Sequence, residues 1–438
     1  MNFSTSNFFE TLLAISPPTK HFWIAYSGGL DSHLLLHALA QLRPQLKQKL
    51  HAIHIHHGLQ AQADDWANHC QDICQALDIP CEVRRVKIDT GDGESLEANA
   101  RKARYEAITQ LLTTNDVVLT AQHADDQAET VLLQLLRGGG VAGLAAMPAI
   151  TRLGQAWLVR PLLAYTREDL HDYARKNELH WIEDSSNADT RFDRNFIRHK
   201  IMPVLQQRWS SVSHIFSRVA HHQAEADELI QILAKQDLKK CQGDNPEQLF
   251  LPALSSLNTA QQHNVVRFWI KKLGLTIPST AQLQQIFTNL ITAKVDSQPI
   301  VRWQGGEIHR YHQSIFAMPN LPNIPDSSYC LKCKFPQSLS LPLGELSFNK
   351  VQGGGFVLPI GTLLNVRFRQ GGETFRWHGH KRVVKKLLQI AQIPPWKRNY
   401  IPLIYNDNNI LISIPNIGIA DGFMARESEI GWEIKWNI

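Results

Sequence analysis

An α/β fold built on a doubly wound parallel sheet is predicted for the N-terminal part of this 438-residue chain. Three observations predict it. Short apolar runs alternate with helix-like stretches over the first 200 or so residues, a glycine-rich turn follows the first apolar run, and an acidic cluster follows the fourth. Strand-like runs fall at residues 22–26, 50–56, 81–88, 116–121 and 156–159. Between and after them lie helical stretches at 33–42, 64–77, 96–112, 125–136 and 166–177. This βαβ rhythm puts helices on both faces of the sheet and a ligand site at the carboxyl ends of its strands.

Beyond the sheet the pattern changes. Residues 198–208 predict a helix started or kinked near Pro203, and 210–238 a longer amphipathic one. Residues 249–299 continue helically, with a start at Asn258-Thr259 and a break at Leu273-Gly274. From 300 to 348 the chain turns β-like, with a Pro-rich linker at 319–328. The last region, 356–438, predicts strands around one basic helix at 381–391. The expected division is therefore a catalytic domain over 1–208, a mainly helical middle domain over 209–325 and a small, basic α+β domain over 326–438.

Bulk properties narrow the function classes. No apolar run reaches the roughly 18 residues that span a bilayer. The start, Met1-Asn2-Phe3-Ser4 with Glu10, lacks the basic and apolar segments of a signal peptide, so a cytoplasmic location is expected. Six scattered cysteines then read as reduced thiols, and Cys330-Leu331-Lys332-Cys333 as an incidental pair without a second pair at zinc-site spacing. Net charge is only +5, but nine basic residues against the single acid Glu373 lie between Gly361 and Tyr400. Such a block suits a polyanion, or else a solvated face.

Three motifs carry the chemistry. Ser27-Gly28-Gly29-Leu30-Asp31-Ser32 joins the first strand to a helix start, where glycines and free helix amides cradle phosphate. It lacks the lysine of a Walker A loop, and Asp31 suggests a carboxylate handling a metal–phosphate complex. His123-Ala124-Asp125-Asp126-Gln127-Ala128-Glu129 opens a later helix, with Asp126 and Glu129 on one face, ready for a metal or a ligand's ammonium. His54, His56 and His57 end the second strand. Their alternation argues against zinc, and His56 is assigned either to the nucleotide pocket or to plain structure. Two basic pairs, Arg101 with Arg104 and Arg194 with Arg198, either grip a phosphate or a nucleobase carbonyl or are solvated pairs.

In order and spelling, SGGLDS, HIHHGL, LEANARKARY, AQHADDQAETVLLQLLRGGGVAGLAAM and EDSSNADTRFDRNFIRHKIMPVL resemble the tRNA(Ile)-lysidine synthetase family, within the PP-loop ATP pyrophosphatases. GHKRVVKKLLQIAQIPPWKRNYIPLIY is similar to that family's C-terminal domain, and the length fits its long form. The resemblance implies ATP-dependent joining of free lysine to C2 of the wobble cytidine in a CAU-anticodon isoleucine tRNA, through an adenylated base. It implies that Ser27, Gly28, Gly29, Leu30, Asp31, Ser32 and His56 hold ATP, with Asp31 on Mg²⁺. Asp126 and Glu129 would bind lysine, and Asp31, Arg101, Arg194 and Arg198 would serve the chemistry. Lys381, Arg382, Lys385, Lys386, Lys397 and Arg398 would contact tRNA. Oligomeric state stays open, a homodimer being one arrangement. The rivals are a PP-loop tRNA thiolase, which relies on catalytic cysteines, a small-molecule adenylating ligase, which needs no basic C-terminal domain, and an RNA-binding protein with a relict nucleotide fold.

Overall fold

The computed structural model describes residues 3–58, 60, 62–88, 96–243, 245–293, 299–323 and 330–437. It forms two compact units, Met1–Ile230 and Gln231–Ile438.

The first unit opens on α1 (Thr5–Ile15), for which no expectation existed; Ser4 caps it and Phe8 and Leu12 are buried. There follow β1 (His21–Ala25), α2 (Leu30–Leu42), β2 (Lys49–His56), α3 (Ala63–Ala76), β3 (Cys81–Arg85), α4 (Leu96–Thr109), β4 (Asp116–Leu119), α5 (Ala124–Leu136) and α6 (Val141–Leu144). A hairpin of β5 (Ile150–Leu153) and β6 (Ala156–Val159) precedes α7 (Arg167–Lys176). The strand order is β3-β2-β1-β4-β6-β5, with every pairing parallel except β5 against β6. All five expected strands are present, and β5 is the addition. On one face Phe22, Ile24, Val117, Leu119 and Val159 join the largest core with α1, α2 and α7. On the other, Ile53, Val118 and Ile108 of α4 form a second core.

Two boundaries matter for function. Helix α2 begins at Leu30 rather than His33, so Asp31 and Ser32 stand in its first turn. After α7, the expected helix at 198–208 is irregular. A short α8 (Asp193–Phe196) runs into one π-helical stretch, Ile197–Ile201, before α9 (Met202–Arg208), with Pro203 in the first turn of α9. Single π-turns inside helices recur at functional sites. The 208/209 boundary falls at the end of α9, whereas the two units divide inside the long α10 (Val212–Cys241). The expected 325/326 boundary and part of the 319–328 linker lie outside the described residues.

The second unit holds two cores. The first packs β7 (Gln248–Phe250), α11 (Leu251–Ser255), α12 (Thr259–Lys272) and α13 (Thr280–Gln285) with β8 (Ile300–Trp303), β9 (Gly306–Tyr311) and β10 (Ser314–Met318). Asn258 caps α12 and Gly274, at φ +74°, follows its end, as expected. The second core, around Phe335, Phe356, Leu388 and Ile404, belongs to β11 (Cys330–Lys334), β12 (Leu339–Ser340), β13 (Glu345–Gln352), β14 (Leu363–Phe368), β15 (Thr374–Trp377), β16 (His380–Val383), α14 (Val384–Ile390), α15 (Pro395–Arg398), β17 (Pro402–Tyr405), β18 (Leu411–Ile414), β19 (Gly418–Ile419) and β20 (Ile430–Asn437). The expected helix at 381–391 is thus corrected: Lys381 and Arg382 are on strand β16, and the helix starts only at Val384. His378 and Gly379, both at positive φ, make the two-residue turn that pairs β16 with β15.

Candidate active site

Strand β1 ends at Ala25, and its sheet neighbours β2 and β4 end beside it. The turn after β1 is held by its own hydroxyls. Ser32 Oγ receives the Ser27 amide at 3.1 Å, donates to Gly29 O at 3.0 Å and lies 3.0 Å from Ser27 Oγ. Gly28 adopts φ +85°, and a Cβ there would stand 2.7 Å from Ile182 Cδ1 and 3.0 Å from Cys70 Sγ. Position 28 must therefore be glycine, and the first amides of α2, like those of any helix start, have no intrahelical partner.

Asp31 sits in that first turn. Its Oδ1 is buried without a hydrogen-bond partner, and Oδ2 lies 3.7 Å from His123 Nε2. Burial raises the carboxyl above its usual range, Asp126 adds to this, and His123, Arg167 and Arg198 offset it only partly. An orphaned carboxylate oxygen beside a phosphate cradle suits a hard cation such as Mg²⁺.

His123 links this loop to the second motif. It caps α5: its Nδ1 accepts the Asp125 amide at 3.2 Å, so in the neutral ring Nε2 carries the proton. Nε2 lies 3.4 Å from Asp126 Oδ2 and 3.7 Å from Asp31 Oδ2. In return Asp126 Oδ2 accepts the His123 amide at 3.1 Å. His123 thus stands between two carboxylates, a position that its place in the sequence motif did not reveal.

Asp126 and Glu129 share one face of α5, as their spacing predicts, but they are not open to solvent. Arg198 Nε donates to Glu129 Oε1 at 2.6 Å, and its Nη2 to Glu129 Oε2 at 2.9 Å and Asp126 Oδ1 at 2.8 Å. Arg194 Nε donates to Glu129 Oε2 at 2.9 Å and its Nη2 to Asp126 Oδ1 at 3.1 Å. The π-stretch and α8 thus deliver both guanidiniums to both acids. Burial alone would raise Asp126, but His123, Arg194 and Arg198 outweigh it and hold its carboxyl low. Two acids and two arginines carry no net formal charge, so the strong negative field expected from the acids alone is largely cancelled.

The other expected residues divide between two places. His56, buried, contacts Asp64 at 3.2 Å, and His54 Nδ1 reaches Tyr26 O at 3.0 Å. His57 points the other way, to Arg104 at 3.3 Å, and burial and that guanidinium push its imidazole down to about 4. Arg101 is exposed on α4, its guanidinium 5.2 Å from the Tyr105 ring centre. In the second unit Lys381, Arg382, Lys385 and Lys386 are exposed around a cavity of about 460 Å³ that Trp377, Lys381, Arg382 and Lys386 help to line. Lys397 is half-buried. Arg398 is buried, and its Nε donates to Ile393 O at 2.7 Å, which gives it a packing role that its charge in the sequence did not signal.

The thiols follow a different logic. Cys70 and Cys74 are buried, and burial pushes the Cys70 thiol up to about 12. Cys70 packs against Gly28, which is a structural task. Among the described residues no group of His, Cys, Asp and Glu could hold a metal ion by itself, and no helix is long and apolar enough to cross a membrane.

Comparison with known proteins places this geometry. Residues 4–205 match the PP-loop domain, 249–316 the TilS substrate binding domain and 364–436 the TilS substrate C-terminal domain. A tRNA(Ile)-lysidine synthase of Coxiella burnetii is 44% identical over 95% of this chain and 93% of its own length. One from Alkalilimnicola ehrlichii is 42% identical over 95% of each chain, and one from Legionella pneumophila (strain Paris) 37% identical over 95% of this chain and 96% of its own. With a phosphate loop, an acid–arginine cluster and relatives of this closeness along nearly its whole length, the chain belongs to the tRNA(Ile)-lysidine synthase family.

Proposed function

We propose that the protein uses ATP to join free L-lysine to C2 of the wobble cytidine of a tRNA(Ile) bearing the CAU anticodon. One observation carries this reading: His123 stands between Asp31 of the phosphate loop, at 3.7 Å, and Asp126 of the acid–arginine cluster, at 3.4 Å. Nucleotide activation and capture of a cationic co-substrate thereby share one pocket.

The C2 carbonyl of cytidine is a poor electrophile. Attack of its oxygen on the α-phosphorus of ATP releases pyrophosphate and leaves AMP on that oxygen. The lysine amine then attacks C2, AMP departs with the oxygen, and a proton is lost from nitrogen. Ser27, Gly28, Gly29, Leu30 and Ser32 line the phosphate end, and His56 borders the nucleotide side. Asp31, with its unpartnered Oδ1, would hold Mg²⁺, which supplies charge neutralisation for the departing pyrophosphate. Asp126 and Glu129 orient lysine. Because Arg194 and Arg198 cancel their charge, a bound ammonium is not locked in its unreactive form. Arg101 is assigned to the adenylated intermediate. The target base must leave its stack to enter, and the exposed basic residues of the second unit hold the tRNA backbone.

This reading includes three functional regions, 1–208, 209–325 and 326–438, acting in the cytoplasm. The thiolase alternative relies on catalytic cysteines at the phosphate loop; Cys70, which packs on that loop, and Cys74 are buried with thiols pushed up, whereas the half-buried Cys81 is held low by its hydrogen bond with Cys74. The test is incubation with ATP, radiolabelled lysine and unmodified tRNA. Label is expected in the isoleucine tRNA and not in methionine tRNA, and Asp31→Asn is expected to reduce pyrophosphate release at least 100-fold while tRNA still binds. Equal labelling of the methionine tRNA would overturn the reading.

A further inference from the structure

One buried cation of the first unit has no task in the scheme above. Arg160 follows β6 at the carboxyl edge of the sheet, its backbone between the ends of β4 and β5: Val159 O accepts the Thr120 amide at 3.0 Å and the Arg160 amide donates to Ala149 O at 2.8 Å. The residue is only 5% exposed. Its Nη1 donates to Pro148 O at 2.7 Å, and the Tyr105 hydroxyl touches the guanidinium. Its Nε is buried without any hydrogen-bond partner, and no carboxylate pairs with it among the described residues. Arg101, the other charged side chain acting on it, is a second cation.

A buried guanidinium without a counter-ion is costly by several kcal/mol. Arg194 and Arg198 behave otherwise, since each is paired with both Asp126 and Glu129. Arg160 is also tied to the helix bearing those acids. Gln127, beside Asp126, clamps Met147 through both backbone atoms, at 2.9 and 3.0 Å, and Arg160 holds the next carbonyl, that of Pro148. The Met147–Pro148 turn therefore links Arg160, whose Nε is unpartnered, to Gln127 of the helix that carries Asp126 and Glu129.

We propose that Arg160 receives an anionic group of the substrates, and that this group is the α-carboxylate of free lysine. The inference rests on the reading above. Phosphates have their own cradle at the start of α2, whereas the two arginines that reach α5, Arg194 and Arg198, are already paired with its acids among the described residues. Recognition at Arg160 would also separate lysine from simple diamines of the same length, which lack a carboxylate.

The experiment compares lysine with cadaverine, the decarboxylated analogue, as acceptor amine on unmodified tRNA. Both are measured on the same preparation of the full chain, wild type, Arg160→Met and Arg160→Lys, so that the folded fraction cancels from their ratio. Wild type is expected to prefer lysine. In Arg160→Met the lysine KM is expected to rise about 10- to 100-fold, the loss typical of one charge-assisted pair. The cadaverine KM should move less than about 3-fold, so that the preference collapses, and Arg160→Lys should restore part of it. A rise in ATP KM with the lysine preference intact would support an anion receptor that serves phosphate instead. Equal loss with lysine, cadaverine and ATP would overturn the proposal and leave Arg160 a prop for the Met147–Pro148 turn. If wild type transferred neither amine, the lysidine reading would fail first, whatever Arg160 does.

Discussion

Asp126, Glu129, Arg194 and Arg198 form a unit whose members cannot be judged singly. Glu129 is 1% exposed, and three of the five hydrogen bonds in the cluster come from Arg198. Replacing one member of a buried pair strands its partner in a poorly solvated place. Arg198→Met is therefore expected to destabilise the protein by about 3 kcal/mol, the low end of the range for such pairs because Arg194 still reaches Glu129. Adding Glu129→Gln should recover part of the loss, since the stranded charge is then gone. Denaturant unfolding of the two single variants and the double variant checks this. Losses that simply add would mean that the two residues act independently. The acids were legible in the sequence because spacing alone puts them on one face. Their arginine partners were legible only as a basic pair, because the contact joins residues 65 to 72 positions apart through a π-turn that no local pattern announces.

At the level of elements, the strand–turn–helix at β1 and α2 was the most readable part of the chain. A short continuous apolar run marks β1, and SGG marks a turn that needs glycine at position 28. What the pattern could not supply is what presses on the turn. Ile182 and Cys70 come from distant segments and close over Gly28, while Gly28 O accepts the Ile182 amide at 3.0 Å. Gly28→Ala combines a left-handed φ with a Cβ at 2.7 Å from a side-chain carbon. It is expected to lower stability by about 1–3 kcal/mol and to raise the ATP KM, because the loop must open to accommodate the methyl. Adding Ile182→Ala should relieve the clash but not the φ cost, so ATP binding should recover only in part. A Gly28→Ala protein with wild-type melting and ATP KM would show that the loop is not closed as described. The same contrast explains the misread helix at 381–391. Its basic residues and leucines suit a helix, yet His378-Gly379 forms a hairpin turn that pairs Lys381 with Arg376 and Arg382 with Phe375. Turn chemistry overrode helix propensity, and the His-Gly pair was the available signal.

Across the whole molecule the charges are divided by task. The basic groups of the catalytic cluster are half-buried and paired, whereas Lys381, Arg382, Lys385 and Lys386 are exposed on a strand and the helix that follows it. Placing two cations on β16 and two on α14 gives a small patch rather than one helical stripe, with Trp377 within the same cavity lining. If this patch holds tRNA phosphates, each contact releases condensed counter-ions and adds about 0.7–0.9 to the slope of log affinity against log salt. Replacing all four by Gln is therefore expected to lower that slope by up to about 3.6 and to weaken tRNA binding most at low salt. Turnover at saturating tRNA should change little, because none of the four belongs to the unit that holds the phosphate loop. Arg398→Gln is the control: its guanidinium is buried on Ile393 O, so the expected result is lower thermal stability with the salt slope unchanged. Filter binding of full-length tRNA across a salt series, with wild type, the fourfold variant and Arg398→Gln side by side, decides the matter. An unchanged slope in the fourfold variant would remove the patch from the tRNA surface, and a lowered slope in Arg398→Gln would mean that exposure is a poor guide to which of these cations meets RNA.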